Sequence, residues 1–143
     1  MQHLYSLAPM RALIAATLTS IACVPLAVIA GDATVSLKGD QEVPAVASPA
    51  EGAGGFSLAA DGTFTGKIET TTLDGTVAHI HEGAAGKNGG VLITLVKNGA
   101  VWSVPPNTQL TDSQRRAFEA GDLYVNVHTA AHKNGEIRAQ IKP

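Results

Sequence analysis

Cysteine is all but missing from this 143-residue sequence: the one example, Cys23, stands in an apolar N-terminal stretch, so the rest of the chain can form no internal disulfide. Stability there must come from packing, from a bound metal or from a partner. Clustered basic residues are missing too. Arg115-Arg116 is the one adjacent pair, and it falls in a segment that reads as a surface helix, which excludes the phosphate-tracking patch of a nucleic-acid binder. Serine and cysteine nucleophile motifs are absent, as are internal repeats and low-complexity tracts.

What is present begins with a targeting pattern. Arg11 precedes a run of apolar and small residues from Ala12 to Ala30, interrupted by Thr17, Thr19, Ser20 and Pro25 and ending in Val28-Ile29-Ala30. A basic start, a hydrophobic middle and small or aliphatic residues at the end are what a signal peptidase reads. The sequence thus predicts a signal peptide over residues 1–30 and a mature domain over 31–143. A membrane anchor and a lipidated Cys23 are the competing readings of the same stretch. Its removal takes away one of ten basic residues and none of the twelve acidic ones, leaving a domain slightly more acidic than the chain's net −2. That length suits one domain with one modest core.

Beyond residue 30 the dominant hydrophobic period is two, punctuated by Gly, Asn, Asp and Pro. Val35 and Leu37 mark a first strand, and Pro44 and Pro49 predict a loop or edge segment over 39–53. Phe56 and Leu58, then Phe64 and Ile68, flank Asp61-Gly62, a signal for a two-residue hairpin turn. A strand over 76–81 leads into a glycine-rich segment, 82–90, read as a mobile or ligand-hugging loop. Val91 to Val96 is apolar apart from Thr94, which predicts a central strand buried on both faces. Thr111 and Gln114 fit a capping box, with Gly121 placed to end a helix over 112–120. The last two strands, Leu123–Thr129 and Ile137–Ile141, alternate cleanly. The expected fold is all-β, an antiparallel Greek-key sandwich or barrel of about seven to eight strands with one short helix.

The chemistry concentrates in histidine, four of which lie beyond residue 30. In His79-Ile80-His81 the strand period puts both rings on one face, about 6–7 Å apart along the backbone, where two imidazoles can chelate one ion. If the last hairpin pairs so that residue numbers sum to 264, His128 lies opposite Glu136 and Asn126 opposite Arg138. Glu136 would then orient the ring of His128, as carboxylates orient metal-bound histidines. His79, His81 and His128 are the predicted ligands, His132 a fourth and labile one, with Glu136, Asn126 and Arg138 around them. Glu136 and Arg138 are expected to pair with each other, and Glu82 points to the opposite face from the histidine pair.

Three segments, Gly39-x-x-Glu42-Val43-Pro44, His79-Ile80-His81-x-Gly83, and Tyr124-Val125-Asn126-Val127-His128-Thr129 with Gly135-Glu136-Ile137-Arg138, together resemble the CHRD domain, the family named after chordin. The resemblance runs from about Ala33 to Ile141 and implies a secreted or periplasmic β domain of bacterial type, some bacterial members being linked to copper handling. A more distant similarity is to the copper/zinc superoxide dismutases, whose copper ligands include a His-x-His pair on one strand and a histidine on a late strand. His79, His81 and His128 match that arrangement. The disulfide and the histidine-rich zinc loop of those enzymes have no counterpart here.

Three imidazoles without a thiolate suit Cu(II) and Zn(II), with copper generally the tighter of the two. The first reading is therefore an exported, periplasmic or secreted protein that binds copper, with zinc as the alternative ion, for buffering or tolerance. A second is an extracytoplasmic protein–protein interaction module with structural histidines, and a third a copper-only, superoxide-dismutase-like enzyme. Oligomeric state and protein partner stay open, and no membrane contact is expected once the signal segment is gone.

Overall fold

A computed structural model describes residues 29–143. Most of the predicted signal segment therefore lies outside the described residues, and the expected cleavage point falls just inside the first strand. Nine strands and one helix follow in order: β1 (Ile29–Lys38), β2 (Glu51–Ala59), β3 (Phe64–Thr71), β4 (Gly75–Glu82), β5 (Gly90–Thr94), β6 (Val96–Asn98), β7 (Val101–Ser103), α1 (Asp112–Ala120), β8 (Leu123–Thr129) and β9 (Ile137–Ile141). They form a single antiparallel sheet in the order β5-β4-β8-β9-β1-β2-β3-β7-β6. The two ends of that list are neighbours in sequence. Leu95 alone separates β5, which pairs with β4, from β6, which pairs with β7, and its N–H donates to the Ala78 carbonyl. One stretch of chain, 90–98, thus rolls the sheet towards a barrel and leaves only short edges exposed. Counted as one bent strand, it gives the eight of the sequence expectation.

The apolar members of each alternation meet inside. Leu37, Phe56, Leu58, Phe64, Ile68, Ile80, Leu123, Val125, Val127, Ile137 and Ile141 are almost completely buried. Phe56 and Phe64 stack with centroids 5.8 Å apart, and Phe118 of α1 meets Phe64 edge-on at 5.7 Å. The helix has the bounds its sequence predicts. Thr111 accepts from the Gln114 N–H, the Gln114 side chain accepts from the Thr111 N–H, and Gly121 closes the helix in the left-handed region. Arg115 donates to the Ala60 carbonyl, fixing α1 over the β2–β3 hairpin.

Three expectations change. The Asp61-Gly62 turn is a three-residue loop, not a two-residue one: Gly62 N–H bonds to Ala59 O and Ala59 N–H to Thr63 O, with Gly62 at φ +91°. A turn followed by one left-handed residue carries the same sequence signal. Strand β2 starts at Glu51, inside the predicted loop, because β1 is long enough for Lys38 to pair with Glu51; both loop prolines still precede it. The segment 91–96 is an edge, not a central strand. Val91 and Val96 are more than half exposed, and its one fully committed core residue is Leu95. An apolar run reads as doubly buried when its real task is to bend and change partners.

Phe118 is the helix's single fully buried side chain, so Phe118→Ala removes most of what docks it. The loss expected is about 3–5 kcal/mol, read as a lower denaturant midpoint with an unchanged slope.

Candidate metal centre

The site is set by two registers. In β4, Ala78 and Ile80 face the core at zero exposure, which turns His79 and His81 to the outer face of the barrel. Strand β8 lies against β4 with Val77 opposite His128, His79 opposite Asn126 and His81 opposite Tyr124. His128 therefore sits diagonally beside His79, on the same outer face. One ring nitrogen from each of His79, His81 and His128 lies within 4.8 Å of the others, an arrangement that could hold a metal ion. His79 Nδ1 and His128 Nε2 are 3.1 Å apart.

Backbone carbonyls orient two of the rings. Lys133 O is 2.9 Å from His128 Nδ1, so that nitrogen donates and Nε2 carries the lone pair facing His79. Gly89 O is 3.1 Å from His81 Nδ1, while the opposite nitrogen, Nε2, stands 3.0 Å from Asn126 Oδ1. His81 thus faces two acceptors, and a neutral ring has one N–H to give. Protonating the ring would satisfy both, yet burial is the larger effect and holds His81 below the ordinary imidazole range; His79 is lowered by burial and then by its histidine neighbours.

A layer of side chains supports the rings. Tyr124 stacks flat on His81, with centroids 4.7 Å apart, and the Arg138 guanidinium lies 3.5 Å over the other face of Tyr124. Arg138 is 1% exposed and donates to Lys87 O, Asn88 Oδ1 and Gln140 Oε1. Asn88 in turn donates to Val43 O, Gly89 N–H to the Tyr124 hydroxyl, and Gln140 to the carbonyls of Gly83 and Gly121. The glycine-rich segment is therefore clamped beside His81.

The β8–β9 register has Asn126 opposite Arg138 and numbers summing to 264 as read from the sequence. Two consequences drawn from it do not follow. Glu136 holds neither His128 nor Arg138: its carboxylate accepts from Ser48 Oγ at 2.7 Å and Thr129 Oγ1 at 2.6 Å. Burial pushes Glu136 up, but these hydroxyls outweigh it and leave the group below its ordinary range. The ladder ends at Val127–Ile137, and the turn beyond folds Lys133 O back onto His128 before Glu136 can reach it. Arg138 is drawn instead to Tyr124 and the clamped loop.

His132 is half-buried in that turn and is not one of the converging three. Its N–H bonds to Thr129 Oγ1 and its carbonyl accepts from Gly135, and it lines a cavity of about 220 Å³ with Glu42, Lys133 and neighbours. Glu82 is exposed, off the histidine face. Glu42, quoted in a motif but given no role from sequence, is 6% exposed, and its Oε1 has no hydrogen-bond partner among the described residues. Burial raises its pKa, opposed in turn by an Asn126 hydrogen bond and the charges of Arg138 and His128. A Cβ on Gly135, whose φ is +122°, would collide with both the Glu42 carboxylate and the Asn126 amide.

Because burial depresses His79 and His81, the unfolded chain binds their protons more tightly than the folded one. Their contribution to stability is complete above about pH 6.5 and is lost as pH falls through the folded values. Metal-free protein is expected to melt progressively lower on acidification from pH 7.5 to 5. A His79→Gln/His81→Gln double variant should show a shallower fall over the same range, measured by calorimetry in chelator.

Among known proteins, the family model of the CHRD domain matches residues 33–141, from the middle of β1 to the end of β9. No curated protein and no solved structure matches the chain. The match takes in every residue of the histidine site and its supporting layer, and the chain belongs to the CHRD-domain family.

Proposed function

We propose that this is an exported metal-binding protein in which His79, His81 and His128 hold a copper ion, serving copper buffering or tolerance. The supporting observation is the set of nitrogens left free by the backbone. Lys133 O and Gly89 O take the Nδ1 protons of His128 and His81, which leaves a lone pair on each Nε2, that of His128 standing 3.1 Å from His79 Nδ1. An ion at that point also relieves His81, whose Nε2 would face a cation in place of a second acceptor.

The donor set fits the ion. Two nitrogens about 2.0–2.1 Å from one metal lie about 3 Å apart when the bond angle is near 90°, and His79 and His128 stand 3.1 Å apart already. Imidazole ligands with no thiolate and a tetragonal tendency suit Cu(II), and zinc is the second choice. Export is supported by the N-terminal pattern and by the family, whose domains are typically extracellular. Among the described residues no helix is long and apolar enough to cross a membrane.

The dismutase-like reading draws on one feature, the partial exposure of His79, which leaves an open side at which a small molecule could reach a bound ion.

Metal-free protein titrated with Cu(II), then with Zn(II), and followed by thermal unfolding tests the proposal. At a hundred times its dissociation constant a ligand adds about 2.7 kcal/mol to the native state, a rise on the order of ten degrees for a domain of this size. The expected result is that rise with copper, a smaller one with zinc, and neither in His81→Gln or His128→Gln. No shift in the wild type would remove the metal reading and favour a partner-binding module. Superoxide turnover by the copper-loaded wild type alone would select the enzymatic one.

A further inference from the structure

Glu42 is the one carboxylate among the buried side chains of the described residues. An isolated buried carboxylate is costly, and folds keep one when a cation or a set of donors offsets it. Here the donors are few. Among the described residues Oε1 has no partner and no salt bridge reaches the group, and its neighbours are the Asn126 amide, the Val43 N–H and the crowded Cα of Gly135. Arg138, the other buried charge, is already committed to Tyr124 and the clamped loop.

Asn126 connects Glu42 to the histidines. It stands directly opposite His79, and its Oδ1 lies 3.0 Å from His81 Nε2, the atom a metal would take. An ion at that nitrogen displaces the amide oxygen, while the amide nitrogen, which reaches the Asn134 carbonyl at 3.5 Å, lies against the Glu42 carboxylate. The charge argument runs in parallel. Three neutral imidazoles bring no negative charge to a divalent ion, and Arg138 adds positive charge nearby, so Glu42 is the local group able to offset it.

Resting on the metal reading of this site, we infer that Glu42 is a positioning residue that acts through Asn126 and supplies the counter-charge by which the centre prefers divalent to monovalent ions. The attraction of a carboxylate for a doubly charged ion is twice that for a singly charged one at the same place. Removing the charge therefore costs a divalent ion twice the free energy.

The test compares wild type, Glu42→Gln and Glu42→Asp by competition titration with Cu(II), Zn(II) and, under reducing conditions, Cu(I). Glu42→Gln is expected to weaken Cu(II) and Zn(II) on the order of 10–100-fold, as loss of groups behind metal ligands commonly does. Cu(I) should weaken only about 3–10-fold, the square root of that factor. Without metal, the Gln variant should melt no lower than wild type, because an uncompensated buried carboxylate has been removed; a merely structural Glu42 would lower it. Glu42→Asp, which keeps the charge, should retain the discrimination. Equal losses for both charge states, or unchanged affinities, in a protein whose wild type binds metal would overturn the inference alone. A wild type that binds none of the three ions overturns the metal reading, and this inference with it.

Discussion

Everything at the histidine site depends on how β4 lies against β8. The alternation of a strand puts Ala78 and Ile80 into the core, and their complete burial leaves no freedom to slip by one residue without turning the apolar side outward. With β4 pinned in this way, the pairing of Val77 with His128 determines which β8 side chain comes beside His79. The hydrophobic effect thus specifies the geometry of a polar site on the opposite face of the same strands. Rigidity of the ligand platform and stability of the barrel have one source.

The outer layer follows from that platform. Once Tyr124 stands opposite His81 it can stack on the ring, and Arg138, two strands over, can lie on the tyrosine. The guanidinium then has hydrogen bonds to give, and the carbonyls of the glycine-rich segment accept them. That segment brings Gly89 O to His81. A chain of contacts from a buried cation to a ring nitrogen replaces the carboxylate orienter expected from the sequence.

What could be read from residues alone was local or period-based. The face shared by His79 and His81, the capped helix from Asp112 to Ala120 and the β8–β9 register all depend on spacing within a short stretch. What could not be read depends on chain segments far apart in sequence. Nothing near His128 announces β4 as its neighbour, and Val91 to Val96 carries no local mark that it must serve both ends of the sheet. Extending the strand pairing by one residue makes Glu136 the partner of His128, but the turn at Lys133 takes over at that point. Glu42 sits in an irregular segment between β1 and β2, where no periodicity tells a buried carboxylate from a solvated one.

The clamp on the glycine-rich segment joins Val43 near one end of the described chain to Arg138 near the other, by way of Asn88. A partly synthesised or partly emerged chain therefore presents His79 and His81 as ordinary strand histidines, with neither His128 beside them nor Gly89 held in place. The three nitrogens come together when β8 pairs with β4, and the clamp that holds Gly89 against His81 is complete only when β9, the last strand, has brought Arg138 to it. Long-range pairings of this kind form late and slowly. The fully oriented histidine cluster is accordingly an attribute of the finished fold, assembled only after both ends of the described chain have been joined through Asn88.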